Sequence, residues 1–302
     1  MKKILLATTM IAATATVAAA DIKISGTARM GIVQITDAAG KNKAVFSSRV
    51  RIQFDASGTT DGGLSFGASM RADQNAGNSD GTANGDSTVF ISGAFGKLTM
   101  GDVAGGAGDE LVGQISGVGY TGIGDTNEIG FLNGTATAAR YDYTSGPFSV
   151  AIGVSQTTAA DASDKQSIAV KYATDKYNVA LGYDKVTGNN QLSLKAGVTF
   201  GAATVTAKVV KNDFAVDGSG LPTAVKGKTQ FGVSIDYAVN PALKVTAFYT
   251  NHKDADATAM GVGASYDLGG GASVVGGVRS VNPGAAGAKS VTLADVGVTM
   301  SF

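Results

Sequence analysis

The stretch Ile22-Lys-Ile-Ser-Gly-Thr-Ala-Arg-Met-Gly-Ile32 puts Ile22, Ile24, Ala28, Met30 and Ile32 on one parity and Lys23, Ser25, Thr27 and Arg29 on the other. Successive side chains of a β-strand point to opposite faces, so a period of two makes a strand with one apolar and one polar face. The pattern returns as Val50, Ile52 and Phe54 against Arg49, Arg51 and Gln53, and as Leu64, Phe66, Ala68 and Met70 against Ser65, Ser69 and Arg71. It recurs over 148–154, 168–172, 177–183, 192–200, 231–237, 243–249 and 260–268, and the chain closes on Val296, Val298, Met300 and Phe302 at the same spacing.

The connections between these stretches alternate in length. Tight turns rich in Gly, Pro, Asp and Asn are expected at 57–63, 96, 145–147, 174–176, 201–202, 240–242 and 269–271. Longer polar connections lie at 36–44, 73–87, 102–136, 156–165, 186–190, 212–228, 252–257 and 282–289. Seven short and eight long connections join sixteen strands. An even strand number, with short turns at one end and long loops at the other, is the pattern of a transmembrane β-barrel. The fold class is therefore all-β, a sixteen-stranded antiparallel barrel formed by one domain over 21–302.

A soluble Gly-rich sandwich, a solenoid or an adhesin stalk would also alternate. Two features favour a lipid-facing apolar surface. Aromatic residues gather near strand ends (Tyr141, Tyr143, Phe148, Tyr172, Tyr177, Phe200, Tyr237, Tyr249, Tyr266 and Phe302), where they would meet the membrane interface. The opposite face is rich in Ser, Thr and Gly, which would fill a compact core badly and suits a water-filled lumen.

Composition removes other classes. The 302 residues include no Cys and one His, so there is no disulfide framework, thiol catalyst or multi-histidine zinc site. Lys and Arg number 24 and Asp and Glu 24, and this zero net charge lacks the basic footprint of a nucleic-acid binder. The lone His252, beside Lys253 and Asp254, is expected as a solvated loop histidine, and no enzyme is indicated. At the N-terminus, Lys2 and Lys3, the apolar stretch 4–17 and Ala18-Ala19-Ala20 read as a secretory signal peptide over 1–20. Beyond it no stretch approaches the ~18 consecutive apolar residues of a spanning helix.

Several stretches resemble the general porins of Rhodobacter-type Gram-negative bacteria. They are Ser25-Gly-Thr-Ala-Arg-Met-Gly31, Phe46-Ser-Ser-Arg-Val-Arg51, Gly58-Thr-Thr-Asp-Gly-Gly-Leu-Ser-Phe-Gly-Ala68, Val89-Phe-Ile-Ser-Gly-Ala-Phe-Gly-Lys-Leu-Thr-Met-Gly-Asp102, residues 261–276 and Ala294-Asp-Val-Gly297. The resemblance runs over essentially the whole mature chain. It implies an outer-membrane homotrimer of sixteen-stranded barrels, each with a water-filled pore, and a third long loop folded into the pore with acidic groups facing a basic wall. It also makes Phe302 similar to the terminal aromatic by which such barrels are recognised for assembly.

Parity tests that constriction separately. Arg29, Arg49, Arg51 and Arg71 all fall opposite the apolar faces of the first three strands, at six to eight residues from the turn side. At ~3.3 Å per residue and ~45° tilt they reach one height, roughly 15 to 20 Å above the turn rim. Arg140 joins them, with Lys195 and Lys208 as weaker additions, while the parity of Arg279, Phe90 and Phe248 is open. The longest connection, 102–136, carries Asp102, Asp109, Glu110, Asp125 and Glu128 and no Lys or Arg. Its Leu111, Val112, Ile115, Val118, Ile123, Ile129, Phe131 and Leu132 are too apolar for a wet outer loop, so it must pack against something. The Rhodobacter-type loop holds calcium. Here Asp109, Glu110, Asp125 and Glu128 are the candidate ligands, in a sparser loop, and no other cofactor is expected.

Passive diffusion of small polar solutes and ions is the leading function. A substrate-selective channel would want an aromatic ladder, and Trp is absent. An adhesin would need neither an open lumen nor an inward arc of charge.

Overall fold

The computed structural model describes residues 21–36, 41–75, 86–103, 108, 111–130, 138–155, 165–186, 189–212, 229–252, 257–284 and 289–302. The segment 1–20, read as a signal peptide, lies outside the described residues. In chain order the strands are β1 (Asp21–Thr36), β2 (Asn42–Thr59), β3 (Ser65–Asn75), β4 (Asp86–Gly93) and β5 (Gly96–Gly101). After the long connection come β6 (Ala138–Ser145), β7 (Phe148–Ser155), β8 (Lys165–Ala173), β9 (Tyr177–Val186), β10 (Asn189–Phe200) and β11 (Ala203–Asn212). The chain ends with β12 (Thr229–Ala238), β13 (Leu243–His252), β14 (Ala257–Gly269), β15 (Ala272–Asn282) and β16 (Val291–Ser301). Each strand pairs antiparallel with its neighbours in sequence, and β1 pairs with β16, so the sheet closes into a barrel with no free edge.

Closure reaches the final residue. Gly26 N–H donates to the Phe302 carbonyl at 2.7 Å, and Phe302 N–H donates back to Gly26 at 3.0 Å. The Phe302 ring lies over Gly26, where a β-carbon would collide with it, so a glycine on β1 makes room for the aromatic that seals the seam.

The faces are inverted relative to a soluble protein. Phe46 is 91% and Ile22 72% exposed, with Ile24, Met30, Val50, Met70, Leu192, Val262 and Val296 in the same outward rows. The fully buried side chains include Lys165, Lys208, Gln191, Gln230 and Asp184. Water would penalise the first set and lipid the second, so the outward rows face hydrocarbon and the polar rows face inward. Phe148, Tyr172, Tyr177, Phe200, Tyr237 and Tyr266 are exposed at the short-turn end. Phe148 and Tyr172 meet there at 4.9 Å between centroids.

Strands outlast the apolar alternation at the loop end. Asp73 and Asn75, expected in a connection, belong to β3, and Lys165 opens β8. His252 is not a solvated loop residue: it ends β13 and is 5% exposed. The physical reason is that ladder hydrogen bonds continue above the lipid, where the outward face no longer has to be apolar. Outward rows therefore mark the membrane, and hydrogen bonding marks the strand.

Candidate functional site

Register fixes the inward charges. Arg29 stands directly opposite Arg49, Thr27 opposite Arg51, Gln53 opposite Arg71, and Arg51 opposite Asp73. All of these are on the parity opposite Met30, Val50, Phe54 and Met70, so the four arginines come together on one inner patch of β1, β2 and β3. Asp73 ties two of them. Its Oδ2 accepts from Arg51 Nε at 2.7 Å and its Oδ1 from Arg71 Nε at 2.7 Å, with Arg71 Nη2 at 3.3 Å from Oδ2. Sequence reasoning missed this carboxylate, although it continues the parity of Ser69 and Arg71.

Arg140 on β6 extends the arc and donates to Asp142, two residues along the same inner row, at 2.9 Å. Asp142 faces Lys97 across the β5–β6 ladder. Lys97 Nζ lies 4.4 Å over the Phe90 ring, which places Phe90 on the inner face between exposed Val89 and Ile91. Lys195 lies on the inner face of β10, opposite Ala180, with Lys171 on the other side of the same alanine. Lys208 is inward but 2% exposed. Its Nζ donates to the Ile129 carbonyl at 2.7 Å and to Gln114 Oε1 at 2.9 Å, so it holds the long connection rather than facing water.

That connection packs against polar rows. Arg29 Nη1 donates to the Tyr120 carbonyl at 3.2 Å. On β16, Asp295 accepts from Tyr120 N–H at 3.2 Å, Thr121 N–H at 2.8 Å and Thr121 Oγ1 at 2.6 Å. On β12, Ser234 Oγ accepts from Ser116 N–H at 3.1 Å and Asp236 accepts from Ser116 Oγ at 2.5 Å. Thr250 on β13 donates to the Thr126 carbonyl at 2.9 Å. Gln191 on β10 and Gln230 on β12 take the carbonyl and N–H of Gly130, each at 3.1 Å.

Its apolar side chains fit where the wall has none. A β-carbon on Gly182 would come within 2.8 Å of Val112, one on Gly232 within 2.8 Å of Ile115, and one on Gly261 within 2.8 Å of Val118. The Tyr120 ring lies on the paired glycines Gly31 and Gly297, 3.0 Å from where either β-carbon would stand. Leu111 packs on Ala151 and Ala169. Ile115, Val118 and Ile123 form a buried cluster with Phe248 and Val281, which also sets Phe248 inward. Each such burial contributes about 1.5–3 kcal/mol. Contacts on the inward face thus run from β7 round to β16 and β1.

The segment reverses at 122–125. Gly122, Ile123, Gly124 and Asp125 have φ of 79°, 46°, 77° and 49°, a left-handed turn closed by Asp125 N–H to the Gly122 carbonyl at 3.1 Å. For Ile123 that conformation costs on the order of 1–3 kcal/mol, offset by its burial. A β-carbon on Gly124 would sit 3.1 Å from Arg279 Nη2, so Arg279 also points inward. Asp102 and Asp125 are exposed and Glu128 is half-buried, while Asp109 and Glu110 lie outside the described residues. Among the described residues no three acidic or imidazole groups come together as a calcium site would need.

A family model described as Gram-negative porin matches residues 7–285. A porin of Rhodobacter capsulatus is 37% identical over 93% of this chain and 100% of its own. A porin of Fuscovulum blasticum is 26% identical over the same shares. A porin structure refined at 1.8 Å superposes with a TM-score of 0.75 at 35% identity, covering 93% of this chain and 100% of its own.

Proposed function

The chain belongs to the Gram-negative porin family, and from that premise we propose that solutes pass between the long connection and the arginine arc. It is an outer-membrane channel and not an enzyme. The observation that carries the proposal is the complementary placement of two features on the inner wall. Residues 111–130 occupy the face from β7 round to β1, and Arg49, Arg51, Arg71, Lys97 and Arg140 stand on the remaining arc, β2 to β6.

In this reading the connection narrows the lumen, and Asp125, Glu128, Asp102, Asp109 and Glu110 supply its acidic side. The field then runs across the path. Water ordered between opposite charges is displaced by polar solutes that can replace its hydrogen bonds and not by apolar ones, so small hydrophilic solutes and ions diffuse through. Selection needs no chemistry, only diameter and charge. Residues 1–20 direct export, Phe302 marks the barrel for assembly, and the chain works as a homotrimer. In a planar bilayer the purified protein should open in steps that close in three equal parts. Single unsubdivided closures would remove the trimer, and absence of ohmic steps would remove the open channel.

A further inference from the structure

We propose that the inner patch of β1, β2 and β3 is a binding site for phosphate-bearing solutes, with Arg49 as its principal ligand. This rests on the reading of the barrel as an open channel. The charged groups acting on Arg49 among the described residues are Arg29, Arg51, Arg71 and Asp73, three of its own sign and one opposed. Asp73 is already engaged by Arg51 and Arg71. Asp55, the next carboxylate towards the turn side, faces Lys23 across the ladder and accepts from Gln53 at 3.1 Å. Arg49 itself makes no hydrogen bond or ion pair with a described residue.

The protein therefore holds one guanidinium fork ready, half-buried, beside three others. Like charges at this spacing repel, and an anion seated among them relieves that repulsion. Asp73 shows how an oxyanion is taken here, since one carboxylate draws the Nε atoms of two arginines to 2.7 Å.

Phosphate suits what is left. Arg29 and Arg49 are directly opposed, their Cα atoms about 4.5 to 5.5 Å apart, so both guanidinium groups reach one tetrahedral group. Arg49 can take two oxygens in its planar fork and Arg29 a third, because Arg29 spends Nη1 on Tyr120. Chloride offers no second atom to a fork, and a carboxylate offers no third oxygen. The patch opens to water, with Arg51 and Arg71 side chains each 33% exposed, so binding is weak enough for release into the flow.

The test is a planar-bilayer recording in 0.1 M KCl with inorganic pyrophosphate added, compared with the same anion in molar KCl. Pyrophosphate should reduce the current reversibly in dilute salt, and molar salt should abolish the block. In Arg49→Gln the half-blocking concentration should rise about tenfold, the loss of a charge-assisted bidentate contact. Lys176→Gln, in an exposed turn, should behave as the parent. A channel that conducts normally and is blocked equally with and without Arg49, or not at all, would overturn the site and leave the channel standing. A protein that makes no conducting steps would overturn both.

Discussion

Excising residues 109–128 and bridging the gap with a short Gly-Ser linker raises the unit conductance, by about twofold or more, and lets larger sugars through in liposome swelling. The segment removed includes Val112, Ile115, Val118 and Tyr120, which fill the glycine positions of the wall, and the turn at 122–125. The barrel should survive. Its ladder closes through β1, β16 and Phe302 without help from this segment. The groups that lose partners, Asp295, Asp236 and, at Gln114, Lys208, all face inward, where water entering the enlarged lumen replaces the lost hydrogen bonds. Folded yield is read as heat-modifiable gel migration. A folded variant with parental conductance would mean that the segment does not obstruct the path.

Replacing Arg49 and Arg51 together by Ala raises the permeability of cations relative to anions. Two positive charges leave β2, and Asp73 keeps Arg71 but loses Arg51, so the wall potential falls by more than distant charges would cause. In 0.1 M salt the permeability ratio should change by about twofold or more, and the change should fade towards molar salt as the screening length shrinks from ~10 Å to ~3 Å. Folding should be little affected, since removing like charges from neighbouring strands relieves repulsion. Parental reversal potentials in dilute salt would show that these side chains lie off the conducting path.

The barrel was legible because its decisive signal is local. Most strands show an outward row over five to eleven residues, and turns punctuate the rows, so counting strands and connections yields the barrel's strand number. The arginine patch was legible for the same reason: parity gives the face, and distance from the turn gives the height. The carboxylates were not. Asp73 and Asp142 are ordinary polar members of inward rows, and only cross-strand register brings Asp73 to Arg51. Asp295 and Asp236 gain their meaning from a connection more than a hundred residues away in sequence. The parity of Lys208 was readable and its burial under Ile129 was not. The glycines that receive Val112, Ile115, Val118 and Tyr120 look in sequence like any others in a chain with 43 of them.

The chain contains no cysteine, so a single introduced thiol reports on its own position without interference. Arg49→Cys and Val50→Cys differ by one residue on β2, with Arg49 inward and Val50 in the outward apolar row. The decisive measurement is the single-channel current of each variant before and after a bulky charged methanethiosulfonate reagent is added from the aqueous side. Arg49→Cys should lose current in steps as each channel is modified, and Val50→Cys should be unaffected. Loss of current in Val50→Cys with none in Arg49→Cys would place the conducting path on the other side of the wall and contradict the inward arginine patch.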